Sequence, residues 1–122
     1  MRVLIVDDEA DFRTSIIEIL QLNGYQAFGV GSLSDYFALS PTDLFDLAVI
    51  DWRLKDGDGL NVLRHIREGR NVPVVLITGS AAFDSPAAKW DLKPDLYIAK
   101  PFAVDPLLAF IKAMTVSHPD DV

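Results

Sequence analysis

Four short apolar runs that do not alternate with polar residues constrain the fold more than any other feature of this chain. They occupy residues 3–6, 47–50, 72–78 and 96–99. Each is rich in branched or aromatic side chains, has the length of a strand, and is typical of strands covered on both faces. A weaker run over 26–30 contains Gly29, which favours a position nearer the sheet edge.

Helical patterns separate these runs. Residues 11–22 carry an apolar stripe and are followed by Gly24, a residue suited to a helix C-cap. A C-terminal helix is predicted with Asp105 as N-cap and Pro106 at its first position. Two shorter helices are predicted over 32–39 and 60–69. Strands that alternate with helices predict an α/β fold, a three-layer sandwich with right-handed crossovers.

Composition narrows the class of protein. The 122 residues are half hydrophobic, include no cysteine, and carry 18 acidic against 11 basic side chains, a net charge of −7. Disorder, disulfides and thiolate metal sites are thereby excluded. The acidity argues against direct contact with nucleic acid, and no apolar run has the roughly 18 residues of a membrane span. We expect one soluble, cytoplasmic domain over 1–116, with a tail or linker over 117–122.

Charged and hydroxyl side chains follow the predicted strands. Asp7 and Asp8 follow the first strand, and Asp51, Thr78 and Lys100 end or follow the later ones. The carboxyl ends of parallel strands share one edge of the sheet, where such folds bind ligands. Two unit charges about 4 Å apart repel by roughly 4 kcal/mol at an effective dielectric of 20, so the acids need a cation. Oxygen ligands without His or Cys favour Mg²⁺.

This set of side chains suits phosphoryl transfer to a carboxylate. Asp51 is the best nucleophile because it stands singly at the end of a central strand. Asp7 and Asp8 would hold the metal. Lys100 would pair with Asp51 and then with the phosphoryl group, to which Thr78 can donate its hydroxyl.

Five motifs in order resemble a response-regulator receiver domain. They are Asp7-Asp8, then Asp51-Trp52-Arg53-Leu54, then Asp56-Gly57-Asp58-Gly59, then Thr78-Gly79, and finally the run from Tyr97 to Phe102. The resemblance covers the chain from Met1 to about Met114. It implies a flavodoxin-like, five-stranded parallel sheet of order 2-1-3-4-5 with helices on both faces, and a His-to-Asp phosphorelay.

The resemblance also implies roles for single residues. Asp51 would be the phosphoacceptor, with Mg²⁺ held by Asp8, Asp51 and the backbone carbonyl of Arg53, and by Asp7 through water. Lys100 would contact the phosphoryl group, and a cis peptide is expected before Pro101. The implied metal and switch residues are therefore Asp7, Asp8, Asp51 and Arg53 for Mg²⁺, and Thr78 with Tyr97 for the switch.

The implied partner is a sensor histidine kinase or a histidine phosphotransfer protein, and the resemblance allows a homodimer on activation. The domain would not be an enzyme beyond its own phosphorylation and dephosphorylation. A pseudo-receiver that docks without phosphorylation is the alternative, although such modules usually lose the acceptor, a metal acid or the lysine. A phosphatase of the aspartyl type would need an acid where Arg53 stands, and a flavodoxin-type carrier would be repelled by the acids.

The chain departs from the family pattern at three places. Lys55 stands where a proline is usual after the acceptor, and Pro86 interrupts the helix expected over 80–93. Residues 90–94 stand where that helix usually ends in a turn of small residues and glycine. Trp90, in the same stretch, is interpreted as a core residue or an interface anchor. Trp52, next to Asp51 in the second motif, is expected to be half-exposed beside the site, and His65 is expected to lie on a solvated helix face.

Overall fold

The structure is a computed structural model that describes residues 1–40, 42–69, 71–78, 94–100 and 104–116. The described residues form four helices: α1 (Ala10–Leu22), α2 (Leu33–Phe37), α3 (Leu60–Gly69) and α4 (Asp105–Val116). The strands within these ranges are β1 (Arg2–Val6), β2 (Gln26–Val30), β3 (Leu47–Asp51), β4 (Arg53–Leu54), β5 (Gly57–Asp58), β6 (Val74–Thr78) and β7 (Leu96–Ala99).

Five of the strands form one parallel sheet in the order β2-β1-β3-β6-β7. Because β4 and β5 pair only with each other, as a small antiparallel hairpin, β6 and β7 are the fourth and fifth strands of the main sheet. The predicted order 2-1-3-4-5 is confirmed, and β2 lies at an edge. The hairpin was not predicted.

The core is divided by the sheet into two clusters. Leu4 and Val6 face a cluster with α2 and α3, whereas Val3 and Ile5 face a cluster with α1 and α4. Every residue of β1 except Arg2 is therefore buried, which explains why its sequence does not alternate. The three-layer prediction is confirmed.

The C-terminal end of α1 agrees with the sequence prediction, whereas the start of α4 differs from it by one residue. Gly24 adopts a positive φ of 88° after α1, and its N–H and that of Tyr25 donate to Gln21 and Leu20, a Schellman arrangement. At α4 the Leu108 N–H donates to the Val104 carbonyl. Since the helix already includes Asp105, that residue is not the N-cap that the sequence predicted.

Several predictions concern residues outside the described ranges: the segment 80–93 with Pro86 and Trp90, the peptide before Pro101, and the tail 117–122. Within the described ranges, no helix is long and apolar enough to cross a membrane.

Candidate functional site

The predicted site residues meet at the carboxyl edge of the sheet. Asp7 follows β1, Asp51 ends β3, Thr78 ends β6 and Lys100 follows β7. These four strands are consecutive neighbours in the sheet, and Lys100 is tied to β6 by a 2.7 Å hydrogen bond from its N–H to the Thr78 carbonyl.

The Lys100 ammonium joins the two central acids. Its Nζ lies 3.1 Å from Asp7 Oδ2 and 3.3 Å from Asp51 Oδ2. Asp7 is 1% exposed, so its charge is shielded little by water, and the ion pair partly compensates that burial. Nζ also stands 4.4 Å from the centre of the Phe12 ring, whose face attracts a cation.

Asp7 is held on its backbone as well as its side chain. Its N–H donates to the Val30 carbonyl at 3.1 Å, and its Oδ1 accepts from the Glu9 N–H at 2.9 Å. The Arg13 guanidinium donates to its carbonyl oxygen at 2.6 Å. Sequence reasoning missed Arg13, because an arginine six residues after an acid carries no pattern of its own.

The turn after Asp51 is packed closely against that residue. Asp51 Oδ1 accepts a long hydrogen bond from the Arg53 N–H, at 3.3 Å, and the Gly59 N–H donates to the Trp52 carbonyl at 2.7 Å. A Cβ at Gly59 would overlap the Asp51 carbonyl oxygen and approach Ile50 Cγ2 at 2.9 Å. Only glycine lets the hairpin return this close to the strand end.

Trp52 corrects an expectation. It is 6% exposed and belongs to the core cluster with α3, rather than being half-exposed beside the site. Its N–H donates to the Ile77 carbonyl at 2.7 Å, which continues the hydrogen-bonding of β3 beyond Asp51. Trp52 therefore takes an inward position next to the acid.

Electrostatics of the site follow from burial and from the arrangement of the acids. Burial raises the pKa of Asp51, and repulsion from Asp7 raises it further, while the attraction of Lys100 lowers it in part. For Lys100, burial alone favours loss of the proton, but attraction to Asp51 and to Asp7 outweighs it and the pKa is raised. Lys100 is therefore a cation at neutral pH.

Three carboxylates can share one metal ion. Oxygens of Asp7, Asp8 and Asp51 all lie within 4.8 Å of one another. The donor set is entirely oxygen, which suits a hard divalent cation, and the one charge of the Lys100 ammonium does not balance three carboxylates. These residues fit Mg²⁺.

The predicted hydroxyl group of the site, that of Thr78, is buried. Thr78 is 1% exposed, and its Oγ1 has no hydrogen-bond partner among the described residues. A buried hydroxyl without a partner is unfavourable and favours an incoming acceptor oxygen. Tyr97 lies on the neighbouring strand β7, where it pairs with Leu76, two residues before Thr78, and it is half-buried against the cluster that contains Trp52.

His65 lies outside this group. It is exposed on α3, as predicted, but its Nδ1 is 2.8 Å from the Tyr36 hydroxyl, and its ring makes edge contacts with Tyr36 and Phe37. It contributes to the packing of α2 on α3.

Comparison with known proteins gives a consistent assignment. The sequence profile described as the response regulator receiver domain matches residues 3–112. The phosphate regulon transcriptional regulatory protein PhoB of Escherichia coli K12 is 30% identical over 93% of this chain and 51% of its own length. The transcriptional regulatory protein DltR of Streptococcus agalactiae is 34% identical over 94% of this chain and 52% of its own. The chain thus spans about half the length of these curated relatives.

Solved structures agree with the sheet order and the helical layers. A CheY-like receiver domain protein from Methanospirillum hungatei has a TM-score of 0.84 and 26% identity, over 99% of this chain and 98% of that one. The response regulator TrrA of Thermotoga maritima, solved with Mg²⁺ and BeF, has a TM-score of 0.79 and 27% identity, over 93% and 97%.

Proposed function

This chain belongs to the receiver-domain family of two-component response regulators, and from that premise we propose that Asp51 is the residue on which it accepts a phosphoryl group. The observation that carries the proposal is the ammonium of Lys100, which contacts Asp51 and Asp7 together. A carboxylate at a strand end, beside a second acid and a shared cation, is arranged for transfer rather than for stability.

The transfer is an in-line displacement. An Asp51 carboxylate oxygen forms a bond to phosphorus as the bond from phosphorus to the donor's imidazole nitrogen breaks. The donor's ring carries a proton on its other nitrogen, so the nitrogen that keeps the electron pair of the broken bond leaves as part of a neutral imidazole, and Asp51 becomes an acyl phosphate. Lys100 then stands beside the new phosphoryl oxygens with its positive charge, and Thr78 can donate its hydroxyl to one of them.

Mg²⁺ would be held by Asp7, Asp8, Asp51 and the backbone carbonyl of Arg53. When bound, it supplies positive charge at the phosphoryl oxygens and offsets the repulsion among the acids. Asp7 and Asp8 keep the site negative enough to bind a cation in the presence of Lys100. The carboxylates alone do not complete an octahedron, so weak binding with several waters is expected.

Thr78 and Tyr97 are proposed as the switch pair. The Thr78 hydroxyl has no hydrogen-bond partner among the described residues, so an acceptor oxygen on phosphorylated Asp51 would favour movement of Thr78 toward the site. Tyr97 lies on the adjacent strand β7, where it pairs with Leu76 of β6, and it can respond to that movement.

The expected phosphodonor is a sensor histidine kinase or a histidine phosphotransfer protein, and the expected compartment is the cytoplasm. The matched relatives are named as transcriptional regulators, so control of transcription is a proposal for a protein that contains this domain. With a net charge of −7, we expect no nucleic acid contact from the domain itself. We also propose homodimerisation on activation and a domain boundary near residue 116.

Labelling by acetyl phosphate tests the acceptor. With Mg²⁺, intact mass should rise by one phosphoryl group in the wild type and in Asp46→Asn. Asp46 is the matched control, because its carboxylate accepts a hydrogen bond from the Arg2 N–H at the opposite edge of the sheet. Asp51→Asn should show no gain. Labelling of Asp51→Asn equal to wild type would overturn the assignment, and no labelling of either protein would favour the pseudo-receiver alternative.

A further inference from the structure

Arg13 lies beside the acidic site without pointing at a carboxylate. Its Nη1 donates to the backbone carbonyl oxygen of Asp7 at 2.6 Å. A hydrogen bond from a charged donor is about twice as strong as a neutral one, so this contact fixes the position of the Asp7 peptide.

The contact replaces a missing sheet bond. Asp7 stands one residue beyond β1, and its N–H still bonds the Val30 carbonyl in the parallel pattern. The next ladder donor for the Asp7 carbonyl would be an N–H just past the end of β2, where the chain leaves the sheet to begin α2. The Arg13 side chain supplies that donor from α1 instead.

Two glycines make room for the Arg13 side chain. A Cβ on Gly29 would come within 2.8 Å of Arg13 Cδ and 2.9 Å of Cγ, and one on Gly31 within 3.0 Å of Nη1. The two glycines are two residues apart and so present the same side of the chain. Gly29, which lowers the strand propensity of β2, therefore provides part of the surface on which Arg13 lies.

We propose that Arg13, lying against Gly29 and Gly31, is a positioning residue that fixes Asp7 for metal binding. The inference rests on the proposed function, since it concerns the same acidic site. Both backbone groups of Asp7 are bonded, and its carboxylate is thereby directed to Lys100 and to the oxygens of Asp8 and Asp51.

The sign of the effect separates this role from simple electrostatics. Removing a positive charge near three carboxylates should, through charge alone, tighten the binding of a divalent cation. Removing a group that positions a metal ligand should weaken it, typically tenfold or more. Arg13→Met therefore gives opposite results under the two accounts.

The test is Mn²⁺ binding by the unphosphorylated protein, followed by the EPR signal of the free ion. We expect Arg13→Met to raise the Kd about tenfold. Gly31→Ala keeps the charge of Arg13 but displaces its guanidinium, so this variant should also raise the Kd. Arg2→Met is the matched control, because the Arg2 Nη1 also donates to a backbone carbonyl, that of Leu44 at 2.9 Å, at the far edge of the sheet.

Thermal unfolding in EDTA measures how much stability each variant loses. An Arg13→Met variant that loses as much stability as Arg2→Met but keeps or tightens the wild-type Kd would overturn the proposal. Asp8→Asn tests the metal site independently. If Asp8→Asn binds Mn²⁺ as the wild type does, the proposed metal site is wrong and the role of Arg13 falls with it. If Asp8→Asn weakens binding and Arg13→Met does not, only the positioning role is wrong.

Discussion

Asp51 is a half-buried acid whose charge opposes folding. Its pKa is raised by burial first and by Asp7 second, above the ordinary value of 3.8. A carboxyl that binds its proton more tightly in the folded state loses stabilising free energy as pH rises from the unfolded-state pKa through the folded-state pKa, and the loss persists above it. The ionised side chain of Asp51 therefore destabilises the metal-free protein at neutral pH.

Asp51→Asn should for this reason be more stable than wild type in EDTA at pH 7. We expect its Tm to be higher than that of wild type, because the substitution removes a charge that is less favourable in the folded state than in the unfolded state. The gain should shrink as pH falls through the folded-state pKa of Asp51 and disappear well below 3.8, where the wild-type acid is protonated in both states. Mg²⁺ should raise the Tm of wild type more than that of the variant. An unchanged or lower Tm at pH 7 would contradict this account of the pKa.

The groups that carry charge at the site could be predicted from the sequence, because each follows an apolar run directly. Asp51 and Lys100 are found by reading to the end of a strand. Arg13 and the burial of Trp52 could not be found in that way. Both depend on which atoms face each other across separate elements, and a sequence pattern does not specify such contacts.

At the scale of elements, the end of α1 depends on one glycine. Gly24 has a φ of 88°, and nothing lies within 4 Å of the position of an added Cβ. Gly24→Ala should therefore cost about 1–2 kcal/mol through backbone conformation alone. Gly69→Ala is the control, since Gly69 ends α3 with equal open space and no positive φ, and the substitution should be neutral or stabilising. Equal losses in urea unfolding would mean that φ is not the cause.

The β4–β5 hairpin caps a second helix. The two carboxylate oxygens of Asp56 accept from the N–H groups of Leu33, at 2.9 Å, and Ser34, at 3.0 Å, at the start of α2. These bonds lower the pKa of Asp56. A carboxyl with a lowered pKa contributes stability above its unfolded-state value, and the contribution disappears as pH falls through the folded-state pKa.

Asp56→Asn should destabilise the protein at pH 7, because an amide offers one acceptor oxygen in place of two. The difference in the free energy of unfolding from wild type should stay constant between pH 7 and 5 and shrink below pH 3.8. It is opposite in sign to the difference expected for Asp51→Asn. Glu18→Gln, on an exposed position of α1, is the control. A destabilisation that persists unchanged at low pH would show that the loss does not come from the charge.

Long elements were predictable and short ones were not. The five sheet strands and α1 have enough residues for a pattern, whereas β4 and β5 have two residues each and no periodicity. The start of α4 was misplaced by one residue because Asp105 and Pro106 are favourable at more than one position of a first turn. Capping chemistry locates a helix end only to within a residue.

At the scale of the whole molecule, both core clusters share the sheet. Leu20 of α1 packs on one face and Trp52 on the other, and adjacent residues of β1 contact opposite clusters. The sequence predicted this arrangement because uninterrupted apolar strands require cover on both sides. If the sheet couples the two faces, a cavity on either face must lower the stability of the whole domain.

Leu20→Ala tests that coupling. Truncating a fully buried leucine costs about 2–5 kcal/mol, so the urea midpoint should fall markedly by circular dichroism. In a Trp90→Phe background, Trp52 fluorescence reports the face that Leu20 does not touch. We expect both probes to shift together, and Leu63→Ala, on the face of Trp52, to give the same coincidence.

A fluorescence midpoint that stays at the wild-type value in Leu20→Ala would mean that the two faces unfold separately. The sheet would then not transmit a change at one face to the other, and a switch from Thr78 through Tyr97 would be confined to the face on which Tyr97 packs.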